Sequence, residues 1–302
     1  MCVKPSLIMM VGLPGSGKST TAEKLSKELE VRIHASDQIR KELYGDESIA
    51  GDNQKVFSIL HNRIRDDLRN GKSVIYDATN INSKKRRNFL KEIDGIDCEK
   101  ICVIVAKEYA GCLNQNAQRE RSIPEEAIKR MYLNWKTPYW FEGWDDIQII
   151  YNDLTFLKDP YLFPLTVYQF NQDSPHHTKT LGIHCIETSE HVKKCGLMRR
   201  AASIHDCGKP FTKSYLNTKG EQTSQAHYYN HQNVGAYDAL FYDPGENSQI
   251  DVSILVNLHM EPFFWKSDKE NGSRRMDKAR SLWGDSLFDK VMVLHNADRQ
   301  AH

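Results

Sequence analysis

Short apolar runs alternate with amphipathic stretches along the first half of the chain. The apolar runs are typical of buried strands and occupy residues 7–11, 31–34, 73–77, 101–105 and 147–151. Between the first two runs, Ala22, Leu25 and Leu29 recur at helical spacing, and residues 54–69 carry apolar side chains four positions apart. This alternation predicts an α/β domain in which a parallel sheet is covered by helices on both faces.

The pattern changes after Tyr151. Residues 152–180 contain three prolines without a clear period, and beyond them the apolar positions recur at helical spacing. The chain has 302 residues, more than one hydrophobic core ordinarily organises. We therefore predict an α/β domain over residues 1–155 and an all-α domain over residues 156–302, with 156–175 as the linker region.

Composition narrows the classes of partner. The net charge is +1 and neither half departs far from neutrality, so any contact with nucleic acid would come from local patches. The seven cysteines include no C-x-x-C pair, which argues against a disulfide scaffold or a zinc ribbon. The apolar run at 7–11 is too short to span a bilayer and lacks the features of a signal peptide. We expect a cytoplasmic protein without membrane contact.

A phosphate-binding loop follows the first predicted strand. Residues 12–19 read G-L-P-G-S-G-K-S, whose glycines allow backbone N–H groups to point at phosphate oxygens, while the next helix adds its positive N-terminus. Lys18 would neutralise the β- and γ-phosphates, and Ser19 would ligate Mg²⁺. The sequence thus predicts that ATP or another NTP binds, with Mg²⁺, to Gly12, Leu13, Pro14, Gly15, Ser16, Gly17, Lys18, Ser19 and Thr20.

Charged residues follow the next strands at the edge where ligands bind. Asp37 and Arg40 come after the second strand; a carboxylate that accepts a hydroxyl proton beside a guanidinium that holds a phosphate suits phosphorylation of a phosphate-bearing alcohol. Asp77 ends the third strand and could act on a Mg²⁺-bound water or touch the acceptor. Arg119 and Arg121 precede a predicted helix start and could close as a lid over the transferred phosphoryl group.

Plainer interpretations stay open for these positions. Asp37 could cap a helix, and Asp77 could form an Asx turn. The basic run at 84–87 is more typical of a solvated helix face than of a nucleic-acid contact. The aromatic stretch at 135–144 is more typical of a core or a domain interface than of a base-stacking surface.

Histidines concentrate in the second half, which holds ten of the twelve. His205, His259 and Asp298 continue apolar helical series and would therefore be buried, and Asp206 directly follows His205. Buried imidazoles and carboxylates that converge from different helices are best explained by a shared cation. Such a ligand set suits Mn²⁺, Fe²⁺, Co²⁺, Ni²⁺ or Zn²⁺ rather than Ca²⁺.

The motifs of the first half resemble those of the polynucleotide-kinase branch of P-loop kinases over about residues 5–152. They are the loop itself, S-D-Q-I-R at 36–40, D-A-T-N at 77–80 and R-E-R-S-I-P at 119–124. The resemblance implies that Asp37 is the general base for a 5′-hydroxyl and that Arg40 binds the acceptor phosphate. It also implies lid roles for Arg119 and Arg121. Related sugar, antibiotic and toxin kinases share much of this pattern.

The second half resembles the HD phosphohydrolase superfamily over about residues 165–302. The resemblance implies metal ligands at His184, His205, Asp206 and Asp298, a second metal at His231 and His259, and a contact between Lys209 and the scissile phosphate. The lead-in S-P-H-H at 174–177 followed by His184 is similar to that of the HD domains of bacterial tRNA nucleotidyltransferases. RNA-end phosphoesters are therefore the implied substrates.

Together these resemblances indicate a bifunctional end-healing enzyme. It would combine an NTP-dependent 5′-OH polynucleotide kinase with a metal-dependent 2′,3′-cyclic phosphodiesterase or phosphatase on RNA ends. Its substrates would be RNA or DNA ends, and an RNA ligase would act downstream. Two alternatives stay open: a small-molecule or nucleoside kinase with an HD nucleotide phosphohydrolase, and a kinase beside a structural or RNA-binding HD module.

Overall fold

The computed structural model describes residues 4–47, 49, 51–153, 158–175, 177–192, 196–242 and 248–301. They divide into a first unit, Met1–Met131 with Pro138–Leu154, and a second unit, Tyr132–Thr137 with Thr155–His302. The predicted boundary at 155/156 and His176 of the S-P-H-H lead-in lie outside the described residues. Residues 132–137, which the predicted boundary places in the first domain, group with the second unit, in which the buried Trp135 ring contacts Tyr237.

The first unit is built on a five-stranded parallel sheet with the strand order β2-β3-β1-β4-β5. Its strands confirm all five predicted runs: β1 Ser6–Val11, β2 Arg32–Ala35, β3 Val74–Asp77, β4 Glu99–Ala106 and β5 Asp146–Tyr151. In the register of β2 and β3, Ala35 pairs with Asp77, so the two strands end side by side. This register brings the residues directly after β2 close to the end of β3.

The helices of the first unit cover the sheet with their apolar faces. They are α1 Lys18–Leu29, α2 Ser36–Tyr44, α3 Asn53–Arg69, α4 Ser83–Glu92, α5 Tyr109–Ala117 and α6 Glu125–Leu133, the last of which continues into the second unit. Helix α3 is an example. Asp52 caps its N-terminus by accepting from the backbone N–H groups of Gln54 and Lys55. Its apolar face packs into the core, where Val56, Leu60 and Ile64 are fully buried.

The second unit is largely helical. Its helices are α7 Phe163–Thr166, α8 Leu181–His191, α9 Gly196–Ile204, α10 Lys209–Thr212, α11 His231–Asp238, α12 Gln249–Leu258, α13 Glu261–Ser267, α14 Gly272–Trp283 and α15 Asp285–Gln300. Buried side chains of α8, α9, α11, α12 and α15 form the packed centre of this unit. The candidate metal ligands lie on or directly beside these helices.

The prediction that the second domain is all-α was wrong in one place. Strands β6 Ser214–Leu216 and β7 Gln222–His227 form an antiparallel hairpin between α10 and α11. Its turn closes at Gly220, where φ is +80° and the N–H donates to the carbonyl of Asn217. Most hairpin residues are polar and exposed, so hydrophobic alternation gave no signal.

The aromatic stretch behaves mainly as expected for core. Trp135, Tyr139 and Trp144 are buried, whereas Trp140 is 43% exposed. Among the described residues, no helix combines the length and apolar character needed to cross a bilayer.

Candidate active sites

The loop after β1 has the geometry of a phosphate cradle. Gly15 and Gly17 adopt φ values of +79° and +92°, which side chains rarely tolerate. A Cβ at Gly15 would lie 2.1 Å from the carbonyl oxygen of Cys112, so the loop packs tightly on α5. The N–H of Gly12 donates to the carbonyl of Thr79 at 3.1 Å, and the Asn152 amide donates to the carbonyl of Ser16 at 2.6 Å. These hydrogen bonds fix the backbone of the loop to residues that follow β3 and β5.

Lys18, Ser19 and Asp77 meet at this helix start. The Lys18 ammonium is buried and donates to the carbonyl of Leu13 at 2.8 Å; burial lowers its pKa, and the Asp77 carboxylate opposes that effect. Burial also raises the pKa of Asp77, opposed by Lys18 and by the hydroxyl of Ser19. The buried hydroxyl of Ser16 has no hydrogen-bond partner within the described part of the chain. Phosphate oxygens and Mg²⁺ fit this donor set.

The remaining loop residues contribute in different ways. Leu13 and Pro14 are buried, which anchors the loop to the sheet, whereas Thr20 is exposed in the first turn of α1. Their predicted role in nucleotide binding stays a prediction; Pro14 has no backbone N–H, so at these positions Leu13 and Thr20 are the ones whose backbone could donate to a phosphate oxygen.

Asp37 and Arg40 form a direct pair beside the cradle. The Arg40 guanidinium donates to Asp37 Oδ1 at 2.8 Å and to Asn53 Oδ1 at 2.9 Å. The charge of Asp37 acts on the pKa of both Lys18 and Asp77, so the four groups share one electrostatic environment. Asp37 is not a helix cap: Ala35 occupies the N-cap position of α2, and Asp37 lies in its first turn.

Both predicted lid arginines lie in the connection between α5 and α6. The Arg121 guanidinium is 3.9 Å from the carboxylates of Asp37 and Glu47. Arg119 is exposed, and its charge lowers the pKa of Lys18 and of Asp77. The side chain of Asn116 bridges the two ends of this connection. Its Oδ1 accepts from the backbone N–H of Ile123 at 2.9 Å, and its Nδ2 donates to the carbonyl of Ile123 at 2.8 Å.

Arg86 has a structural role beside the site that was not predicted. It is 1% exposed, so the interpretation of 84–87 as a solvated face was wrong at this position. Its guanidinium donates to both carboxylate oxygens of Glu142, at 2.7 and 2.8 Å, and to the carbonyl of Asn80 at 2.8 Å. Asn80 has a φ of +46° and donates to the carbonyl of Met10, so this network fixes the turn after Asp77. Its helical spacing with buried Phe89 was the available signal.

A second candidate site lies in the other unit, centred on Asp206. One group of possible ligands is His184, His205 and Asp206, and another is Asp206, His231 and His259, each within 4.8 Å between ligand atoms. Asp298 Oδ1 lies 3.0 Å from His184 Nε2 and 3.7 Å from His205 Nε2. All six sequence-predicted ligands therefore converge, and the two groups share one carboxylate.

Three of the histidines are oriented through their other ring nitrogen. The Nδ1 atoms of His205, His231 and His259 lie 2.7–2.8 Å from the backbone carbonyls of Ala202, Tyr228 and Val256. A carbonyl can only accept, so Nδ1 carries a proton, and Nε2 is the ring nitrogen that faces the cluster. This arrangement is typical of metal-binding histidines and fits two divalent transition-metal ions.

Lys209 extends the cluster. Its ammonium lies 2.7 Å from Asp206 Oδ2 and donates to Gln172 Oε1 at 2.8 Å. Burial alone would raise the pKa of Asp206, but His205 and Lys209 outweigh it and hold that pKa well below its usual range. Gln172 is fully buried and was missed, since a lone glutamine carries no sequence signal.

Comparison with known proteins bears on the type of domain that the first unit forms. Residues 7–138 match a family model described as an AAA domain. The first unit contains a kinase-like P-loop domain. The L-seryl-tRNA(Sec) kinase of Methanococcus maripaludis is 32% identical to this chain over 150 residues, which are 46% of this chain and 56% of that protein. Protein kti12 of Schizosaccharomyces pombe is 26% identical over 152 residues, 46% of this chain and 54% of that protein.

The chain thus spans about half the length of the curated relatives it matches. Among solved structures, a chain in the structure of the Pnkp1/Rnl/Hen1 RNA repair complex is similar, with 20% identity and a TM-score of 0.40. The similarity covers 43% of this chain and 44% of that one.

Proposed function

We propose that the chain is a bifunctional end-healing enzyme. The first unit would phosphorylate a 5′-hydroxyl of RNA or DNA with ATP or another NTP, and the second would hydrolyse a 2′,3′-cyclic or terminal phosphate. The observation that carries this proposal is the Asp37–Arg40 pair beside Lys18 and Asp77, in one chain with the Asp206 cluster.

In the kinase step, the Asp37 carboxylate accepts the proton of the attacking hydroxyl. The acceptor oxygen forms a bond to the γ-phosphorus while the bond to the β,γ-bridging oxygen breaks. Arg40 orients Asp37 and holds the acceptor phosphate, and Lys18, Arg119 and Arg121 stabilise negative charge on the transferred group. Mg²⁺ bound at Ser19, with Asp77 behind it, would neutralise phosphate charge.

In the second unit, Asp206 would be shared by two transition-metal ions, each held also by two histidines. Such ions supply a water of lowered pKa as the nucleophile. Asp298 completes the ligand set beside His184, and the backbone carbonyls orient the imidazoles. Lys209, which pairs with Asp206, would meet a non-bridging oxygen of the substrate phosphate. This part rests on the convergence of the ligands and on the resemblance to HD phosphohydrolases.

The kinase half is tested by labelling a 5′-OH oligoribonucleotide with ATP and Mg²⁺. Asp37→Asn should slow labelling by at least about 100-fold, because the general base is lost. Asp94→Asn, an exposed carboxylate of the same unit, serves as the matched control and should label normally. Labelling that survives Asp37→Asn at the wild-type rate would refute the assigned base.

A second candidate is a kinase for a different hydroxyl. Its support is the 32% identity to an L-seryl-tRNA(Sec) kinase, together with a near-neutral net charge. The HD-like unit would then hydrolyse nucleotides or serve as a structural or RNA-binding module. Transfer from ATP to nucleosides, sugars or seryl-tRNA, compared with transfer to a 5′-OH oligonucleotide, separates the two candidates.

A further inference from the structure

A cleft of about 500 Å³ lies between α3 and α4, beside the end of β3. All of its lining residues belong to the first unit. Its volume falls within the range of small-molecule sites, about 300–1,000 Å³. Neither the kinase step nor the hydrolytic step proposed for this chain uses it.

Four aromatic rings line the cleft: Phe57, His61, Tyr76 and Phe89. The centroids of His61 and Phe89 are 4.3 Å apart, and those of Tyr76 and Phe89 are 5.2 Å apart. Burial lowers the pKa of His61, opposed by the neighbouring Glu92. His61 Nδ1 lies 3.3 Å from Glu92, and its Nε2 lies 3.2 Å from the Tyr76 hydroxyl. These contacts fix the rings of His61, Tyr76 and Phe89 in the wall of the cleft, where the half-buried ring of Phe57 offers a surface for stacking.

The rim of the cleft is polar. Amide side chains of Asn53, Gln54, Asn62, Asn82 and Asn88 line it, and each can both donate and accept. The Glu92 carboxylate lies near His61 and 3.7 Å from the Arg65 guanidinium, so its charge is compensated. Lys85 is 5.9 Å from the centroid of the Phe57 ring and adds a cation at the mouth. A flat heterocycle with donors and acceptors at its edge, attached to phosphates, matches this lining.

Two residues that line the cleft are hydrogen-bonded to the phosphoryl-transfer site. Asn53, which accepts from Arg40, lines the cleft and thereby joins it to the Asp37–Arg40 pair. Thr79 also lines it, and its carbonyl accepts from Gly12 at the start of the phosphate loop. An acceptor whose hydroxyl lies at Asp37 would extend directly into the cleft.

We propose that this cleft binds the nucleobase of the acceptor's terminal nucleotide, with Phe57 as a stacking residue. The proposal rests on the proposed kinase function and specifies what its acceptor site recognises. It makes the kinase selective for acceptors that carry a base next to the reacting hydroxyl.

The test compares two 5′-OH oligonucleotides that differ only in whether the first nucleotide carries a base or is abasic. The wild-type enzyme should lose about tenfold or more in kcat/KM on the abasic acceptor. Phe57→Ala should lose a similar factor on the normal acceptor and nothing further on the abasic one. Trp140→Ala, which removes an exposed aromatic ring of the same unit, should retain the wild-type ratio. Equal rates on both acceptors, or an unchanged ratio in Phe57→Ala, would overturn the proposal.

A binding measurement separates this proposal from the kinase function itself. A 5′-OH dinucleotide with 2-aminopurine as its first base should lose fluorescence when it stacks in the cleft, without any phosphoryl donor. Phe57→Ala should weaken this binding about tenfold. Absence of labelling together with Phe57-dependent quenching would refute the kinase and leave the base site standing. Labelling without Phe57-dependent quenching would refute the base site and leave the kinase function standing.

Discussion

At the scale of single residues, the buried pair Arg86–Glu142 gives the sharpest stability prediction. Arg86→Met would leave the Glu142 carboxylate buried with Trp144 as its one hydrogen-bond donor among the described residues. Breaking a buried ion pair from one side costs about 3–5 kcal/mol. Native-state hydrogen exchange of β3 and α4 should report a loss of that size.

The matched control is Lys84→Met on the exposed part of the same helix, which should change exchange little. A second variant, Arg86→Met with Glu142→Leu, removes both charges and should recover much of the lost stability. Protection that is unaltered in Arg86→Met would show that the network does not fix the turn after Asp77.

Residue identity also explains why some site residues were predictable and others were not. The phosphate loop, Asp37 and Asp77 were predictable because parallel strands end at one edge of the sheet, where the residues next in the chain gather. The burial of His205, His259 and Asp298 was predictable because they continue apolar helical stripes, whereas His184 and His231 were identified only through the resemblance to HD phosphohydrolases. Arg86 and Gln172 were not, because a charged or amide side chain is expected at the surface unless its distant partner, such as Glu142, is known.

At the scale of elements, the connection between α5 and α6 carries both lid arginines and is closed by Asn116. Asn116→Ala removes two hydrogen bonds to Ile123 and should loosen the positions of Arg119 and Arg121. We expect kcat/KM for phosphoryl transfer to fall by about tenfold, consistent with the loss of two such bonds. Steady-state kinetics with varied ATP measure it. Gln118→Ala, exposed in the same connection, is the control, and equal kinetics for both variants would contradict the assigned role.

Elements also mark the limit of prediction from hydrophobic patterns. The strands of the first sheet are continuous apolar runs, and all five were predicted. The hairpin of β6 and β7 has polar residues on both faces, so its pairing is set by the turn at Gly220 and not by burial. Residues 132 and 133 form the end of α6, and residues 134–137 follow it directly, so no change in the sequence pattern marked their membership in the second unit.

At the scale of the whole molecule, binding of a transition metal should stabilise the second unit and leave the activity of the first unit unchanged. Removing transition metal with a chelator, followed by dialysis into Mg²⁺, should leave the acidic groups Asp206 and Asp298 without their cations. Saturating Mn²⁺ at about 100 times its dissociation constant should stabilise the second unit by about 3 kcal/mol. Calorimetry should show that shift in one transition, while 5′ labelling stays unchanged. A shift in neither transition would argue against the metal site.

Whether the two units heal the two ends of one RNA is tested most directly with a single oligoribonucleotide that carries a 5′-OH and a 2′,3′-cyclic phosphate. Both ends are followed by mass spectrometry in the presence of ATP, Mg²⁺ and Mn²⁺. The wild-type protein should add a phosphate at the 5′ end and open the cyclic phosphate. Asp37→Asn should abolish only the first change and Asp206→Ala only the second, while Asp277→Asn, a carboxylate outside both sites, should affect neither. An unreacted end in the wild-type protein, or an end that reacts normally in its own variant, would contradict the proposed function.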